Sequence, residues 1–406
     1  MGLPAALSGP WNPCRVTGTA MPPNLLLMCK LLAVAVLATG HVRILPDPFL
    51  PFIDGLDRLL DPQVFRTTLQ TVAVVSAVSL LFNRWVRGSA LILGGCILLA
   101  VVCSRAYYGN NKTFVGLALV LAALSDFDRL AYLLRWQLAL VYFGAALNKL
   151  LDPDWQSGLF FEHWAGVRLQ NPLYLAVSER LPPLLAGKMM CWGTTLTEFV
   201  VAFGLLVPRL VPYALWINAL FQIGLLEFTG DTFTLFFYAM QAATLAFVAW
   251  PERLFVLYNR ERWRGRWLHR MLKLADPDGL QEWHPTPSDS VWTLECRSAV
   301  GGSLRGPLYR GFAVVSRLLL YCPAFWLAAT VLLALPAAVQ ALAPELWAWV
   351  TVTATMWRRG LVAGIFLLIL PAFWREGRWA YRWSDTAASS NLDVPETFAG
   401  PVRRPS

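Results

Sequence analysis

The chain is a succession of long apolar runs separated by short polar breaks. A helix that crosses a bilayer needs about 20 mostly apolar residues. Runs that approach this length lie at residues 25–42, 66–83, 89–107, 112–125, 129–150, 188–207, 211–228 and 231–250, the fourth being short. Two more lie at 318–335 and 360–374. One region breaks the rhythm. After Arg253, "LFVLY" reads as a strand, residues 261–275 as a helix, and "GLQEW" and "SVWTLEC" as further strands. That alternation suits a small α/β unit. The expected fold is an all-α polytopic membrane bundle of about 8–10 spans with a small α/β segment attached. The expected divisions are an N-terminal segment 1–24, a membrane domain 25–250, the α/β segment 251–335, further membrane helices within 336–374, and a polar tail 375–406.

Composition places these runs in lipid. Of 406 residues, 57% are hydrophobic and 15% charged, against about 25% charged in a soluble domain. The 19 tryptophans fit as well, because indole favours the membrane interface. The net charge of +9 is spread over loops and one segment after residue 250, as cytoplasmic loops require. Nucleic acid is therefore not the expected partner. Arg84, Arg87, Arg129, Arg209 and the stretch Arg253 to Lys273 fall on one side if the eight spans alternate. That side is read as cytoplasmic, with the N-terminus and residues 251–310 inside and Lys149 at the outer surface. The expected location is a multi-pass inner or plasma membrane. Residues 1–24 lack a signal-peptide pattern, so the first run is read as a retained span. Seven scattered cysteines without C-x-x-C spacing read as buried apolar filler. Four dispersed histidines suggest no metal site, and the cofactor stays open.

The candidate chemistry lies on the fifth run. Arg135, Tyr142 and Lys149 are seven residues apart, so they share one helix face with ~20° of drift per heptad. Arg135 marks the inner end and Lys149 lies about 21 Å away at the outer end. The sixth run places Thr194 and Glu198 at i, i+4, and the seventh places Asn218 and Gln222 likewise. The eighth carries Tyr238 and Gln241. Residues four apart share a face, and polar faces in lipid turn inward. Two readings stand. Lys149 can snorkel as an interfacial anchor, with Asp152 and Asp154 as surface partners. Alternatively, desolvation disfavours an ammonium and fits a lysine for general-base work.

"LLRWQLALVYFGAALNKLLDPDWQSGLFFEHW" (Leu133–Trp164) resembles the signature segment of the horizontally transferred transmembrane (HTTM) family. That family includes the vitamin-K-dependent gamma-carboxylase, and lipase maturation factors are distantly similar. The shared features are Arg135, Val141-Tyr142-Phe143, Gly144-Ala145-Ala146, Lys149 and Trp155-Gln156-Ser157-Gly158. "TTLTEFVVAFGLLVPRL" and "TFTLFFYAM" are similar to the family's next spans. In the carboxylase the second of two adjacent lysines deprotonates vitamin K hydroquinone. Lys149 matches that lysine, and Asn148 replaces the first. The step to tryptophan is one residue longer here, Gln222 stands where many members carry histidine, and the carboxylase's large substrate-binding half has no counterpart. The resemblance thus implies use of Lys149 on a quinone-like or lipidic ligand rather than glutamate carboxylation. Glu198 would orient that ligand, and Arg135, Tyr142, Trp155, Asn218 and Gln222 would contribute to the site.

In residues 261–275, Trp263, Trp267, Met271 and Leu274 fall on one side, with Arg262, Arg266, Arg270 and Lys273 on an adjacent strip. The order from 251 to 335 is similar to the DCC-type thiol-disulfide oxidoreductase family, whose fold is thioredoxin-like. Its Y-D-G-x-C-x-x-C motif has decayed. Tyr258 remains, Asn259 and Arg260 replace Asp and Gly, and Arg262 and Gly265 occupy the cysteine positions. Thiol exchange needs a thiolate and a resolving thiol, so this segment is not expected to perform it. Five arginines between Arg260 and Arg270 suit membrane lipids or an acidic protein partner. The functional expectation is an HTTM-class membrane protein that acts on or binds a membrane-soluble substrate through Lys149. Whether it is an enzyme stays open. The alternatives are a non-catalytic lipid- or partner-binding membrane protein, or a transporter.

Overall fold

The computed structural model describes residues 11–43, 51–52, 61–126, 131–229, 234–248, 250–286, 294–300, 303–342 and 364. The long helices are α1 (Pro23–Ala38), α2 (Pro62–Leu81), α3 (Val86–Cys103), α4 (Asn110–Ala123) and α5 (Tyr132–Leu151). Short helices α6 (Pro153–Ser157) and α7 (Pro172–Ser178) flank a π-helix, Glu162–Arg168. Then come α8 (Leu185–Leu206), α9 (Val211–Thr229) and α10 (Thr234–Ala243), the last ending in a 3-10 turn, Thr244–Phe247. Each of the eight apolar runs to residue 250 coincides with one of these helices. Three of them, α2, α3 and α8, are long and apolar enough to cross a membrane by length and composition. The apolar helices Pro23–Ala38, Val211–Leu225 and Leu235–Phe247 are shorter.

Helix α1 is the centre of the bundle. It packs against α2, α4, α10 and a C-terminal helix, α13 (Pro323–Leu342). Its run of leucines has no polar face, and eleven of its sixteen residues are buried. A helix apolar all round belongs in a core. Lys30 sits in its middle and is also buried. Its Nζ donates to the carbonyls of Pro13 (2.6 Å) and Arg15 (2.8 Å), which fold back from the N-terminal segment. Helices α3 and α4 touch backbone to backbone. A Cβ on Gly94 would lie 2.7 Å from the Gly116 carbonyl oxygen, so only glycine allows the approach. Small residues at helix contacts are the usual solution where lipid supplies no hydrophobic drive.

After the bundle come β1 (Arg253–Asn259), α11 (Trp263–Leu274), β2 (Gln281–Thr286), β3 (Leu294–Val300) and β4 (Ser303–Arg310). The sheet order is β2-β1-β3-β4, with β1 parallel to β2 and antiparallel to β3, and β3 antiparallel to β4. Strand β4 was not anticipated. Its Gly306-Pro307 disguises it, and proline is tolerated at an edge. A register shift between Cys296 and Ser298 absorbs that interruption. The buried core runs unbroken from α1 into this sheet through Leu254, Val256, Cys296 and Tyr309.

The run expected at 318–335 is not one helix. Helix α12 (Phe312–Leu320) and α13 meet at a 79° bend. Tyr321 and Cys322 make the corner, Cys322 Sγ donating to the Ala275 carbonyl at 3.2 Å, and Pro323 opens the next helix. Expectations for the run 360–374 and the tail 375–406 fall outside the described residues, apart from Gly364.

Candidate functional site

Helix α5 carries the candidate residues on one buried stripe. Tyr142 is buried, and the Lys149 side chain is 19% exposed. Helix α8 packs along α5 and presents Glu198, whose side chain is 7% exposed. Lys149 Nζ and Glu198 Oε1 form a direct, hydrogen-bonded ion pair. Lys149 Nζ also lies 4.9 Å from the centre of the Trp155 ring, a cation–π arrangement. Trp155 is held by stacking on Phe160, 4.3 Å between ring centres.

The partner of Lys149 differs from the one expected for an anchor. Asp152 accepts from the Asp154 backbone N–H at 2.9 Å and caps α6. The lysine turns instead to Glu198, into the bundle. The chain after it is held down on α8. Gly158, at φ 90°, lies against the backbone of Gly187 and Lys188, and a Cβ there would collide with both. The following π-helix is fixed by Tyr174, whose hydroxyl donates to Glu162 Oε2 at 2.6 Å. π-helical turns recur at functional sites.

A second polar group adjoins the first. Gln222 Nε2 donates to the Tyr142 hydroxyl at 2.7 Å, and that hydroxyl donates to Asn218 Oδ1. Asn218 and Gln222 are both fully buried on α9. Three buried polar atoms in this cluster have no hydrogen-bond partner among the described residues. These are Glu198 Oε2, Asn218 Nδ2 and Gln222 Oε1. Leaving such a group unpaired costs about 1–3 kcal/mol, more for a charged one.

Spacing singled out Lys149, Glu198, Tyr142, Asn218 and Gln222, and the resemblance added Trp155; the fold joins Lys149 with Glu198 and Trp155, and Tyr142 with Asn218 and Gln222. Arg135 is elsewhere. Its Nε donates to the Ala246 carbonyl at 3.1 Å, and its guanidinium lies 5.2 Å from the centre of the Phe247 ring. Thr194 is half-buried one turn before Glu198. Tyr238 is buried on α10, and Gln241 Nε2 lacks a partner among the described residues. An open groove of about 420 Å³ between α4 and α5, lined by Leu121, Leu133, Trp136, Gln137, Leu140 and Val141, does not reach the Lys149 cluster. Among the described residues no group of His, Cys, Asp or Glu could hold a metal ion, and all seven cysteines are free.

The family model of the HTTM domain matches residues 127–250. This interval runs from the approach to α5 through the 3-10 turn and contains every residue of the cluster. The match and the apolar helices fit a membrane protein of the HTTM class. Comparison with curated proteins and comparison with solved structures each gave no match.

Proposed function

We propose that the Lys149 cluster binds the polar head of a membrane-soluble molecule and that Lys149 acts on it as a base. The observation that carries this reading is a set of three unpartnered polar atoms, one on the Lys149–Glu198 ion pair and two on the Tyr142 group of the same helix face. Glu198 Oε2 and Gln222 Oε1 can accept, and Asn218 Nδ2 can donate. A head group with both a hydroxyl and a carbonyl, as in a half-reduced or substituted quinone, would complete all three. Buried polar groups are otherwise satisfied in nearly every protein.

The chemistry needs only these side chains. Proton transfer from the Lys149 ammonium to Glu198 leaves a neutral amine beside a neutral acid. The amine then takes the proton of an acidic ligand hydroxyl, giving ammonium and a ligand oxyanion. Glu198 is thus the proton's resting place, and Asn218 Nδ2 is a donor for the oxyanion. Trp155 and its aromatic neighbours keep water away. This extends the resemblance to the carboxylase, in which a matching lysine deprotonates a quinol. The sheet order β2-β1-β3-β4, with its β1–helix–β2 crossover, supports the thioredoxin-like reading of the segment 251–335. The thiol chemistry of that fold has no support, since Arg262 and Gly265 hold the motif positions.

A structural reading is the competitor, because Lys149 already has a partner and the pair would join α5 to α8. Mass spectrometry of small molecules that copurify with the wild type, Lys149→Arg and Asn218→Leu separates the two. A specific quinone-like or lipidic compound is expected in the wild type and lost in Asn218→Leu. Lys149→Arg should keep the compound and abolish its turnover, because arginine does not deprotonate. Identical bulk lipid in all three preparations would leave only the structural pair.

A further inference from the structure

Helix α11 has two apolar faces. The inner one is occupied: Leu272 is buried, Leu268 packs on the core, and His269 lies against Tyr258 (4.6 Å) and Trp283 (5.1 Å). The outer one is uncovered among the described residues. Trp263, Trp267, Met271 and Leu274 are 65%, 55%, 49% and 56% exposed. At ~100° per residue these four fall within one stripe. Arg266, Arg270 and Lys273 flank it on one side and Arg264 on the other. None of these four cations forms a salt bridge among the described residues. Arg264 instead lies over the Trp263 ring at 5.6 Å, and Arg266 donates to the carbonyls of Arg260 and Glu261. Residues 260–274 carry six basic side chains and one acidic one. Burial, then Lys273 and Arg270, hold the His269 imidazole below its ordinary pKa, so it adds no charge near neutral pH.

We infer that this outer face of α11 docks on an anionic lipid leaflet. An exposed apolar stripe with tryptophans, bordered by arginine and lysine, is the pattern of a helix lying in a membrane interface. Tryptophan prefers that depth, and arginine and lysine beside it are drawn to an anionic surface. Tethering brings the surface within reach. Phe247 ends the last bundle helix and Arg253 begins β1, so five connecting residues extend at most about 18 Å. At the other end α12 and α13 return to apolar helix. Among the described residues no carboxylate pairs with these cations. Residues beyond 342 hold seven arginines and five carboxylates, and residues 1–10 hold no charged side chain.

The test uses the full-length protein in nanodiscs, which requires only that its helices integrate. A photoreactive phenylalanine derivative replaces Trp267 or, as a control, His284 on the exposed edge of β2. With phosphatidylserine in the disc, irradiation should yield a lipid adduct at 267 and little at 284. The triple variant Arg266→Glu, Arg270→Glu, Lys273→Glu changes only exposed side chains. It should lower the adduct by about tenfold or more, and high salt should lower it in the wild type. Equal adducts in purely zwitterionic discs, equal adducts at 267 and 284, or crosslinks at 267 to protein in place of lipid would each overturn the inference.

Discussion

Lys149 and Glu198 are a pair of opposite charges withdrawn from water, and their energetics are asymmetric. Together they roughly break even with apolar residues of the same volume, whereas removing one partner strands the other at about 3–5 kcal/mol. Lys149→Ala should therefore lower the unfolding midpoint of the solubilised protein by more than the double change Lys149→Met, Glu198→Leu. Thermal unfolding of the two variants checks this. A double variant no more stable than Lys149→Ala would mean that the charges are not coupled. The residues of the cluster were legible because polar side chains are rare in apolar runs and repeat at seven or four positions. Their pairing was not. Asp152 lies three residues from Lys149 and looks like its partner, but it stands past the helix end, where a carboxylate is worth more as a cap. Lys30 is likewise a lysine within an apolar run. Its partners are main-chain carbonyls at 13 and 15, which no side-chain pattern reveals.

Among the elements, the apolar runs located the helices, because eight blocks of sequence are too hydrophobic to be loops. The small sheet was legible in part. β1, β2 and β3 begin or lie within runs of alternating or β-branched residues, while β4 hides behind Gly306-Pro307. The single run 318–335 concealed a bend, since hydrophobicity is continuous across Tyr321 and Cys322. Close helix contacts are a further layer that hydropathy does not report. Gly94 and Gly95 are adjacent and chemically identical, yet a Cβ on Gly94 meets α4 and one on Gly95 meets nothing within 4 Å. Gly94→Leu should force α3 from α4 at a cost of about 1–3 kcal/mol. Gly95→Leu should leave stability unchanged or improved, because leucine favours helix over glycine. Equal losses from the two substitutions, measured by thermal unfolding in the same detergent, would show that the Gly94–Gly116 approach does not govern this packing.

For the whole molecule, the decisive contacts lie between segments remote in sequence. The N-terminal stretch 11–22 is a strap. It gives carbonyls to Lys30 of α1 and to Asn83 at the α2–α3 corner, lays Trp11 under Arg84 at 2.7 Å, and takes a bond from Arg87 at Ala20. The far side of the strap is hydrogen-bonded to the α/β unit at Asp278. Asp278 accepts from the Val16 N–H (3.0 Å), the Thr17 N–H (3.2 Å) and the Thr17 hydroxyl (2.7 Å), with Arg15 at 3.7 Å. In the sequence Asp278 is only part of a D-P-D-G turn, and its partners lie 262 and 261 positions away. Hydrogen bonds to a charged group are worth about 1.5–3 kcal/mol each, so Asp278 ties the sheet to the bundle through side-chain chemistry that the apolar pattern does not report. Asp278→Ala should raise amide exchange in residues 15–21 and in the 276–281 turn. The amides of α5 and α8, to which none of these bonds runs, should keep their protection. Unchanged exchange at Val16 and Thr17 would mean that the shared core, running from α1 into β1, holds the two parts together without the strap.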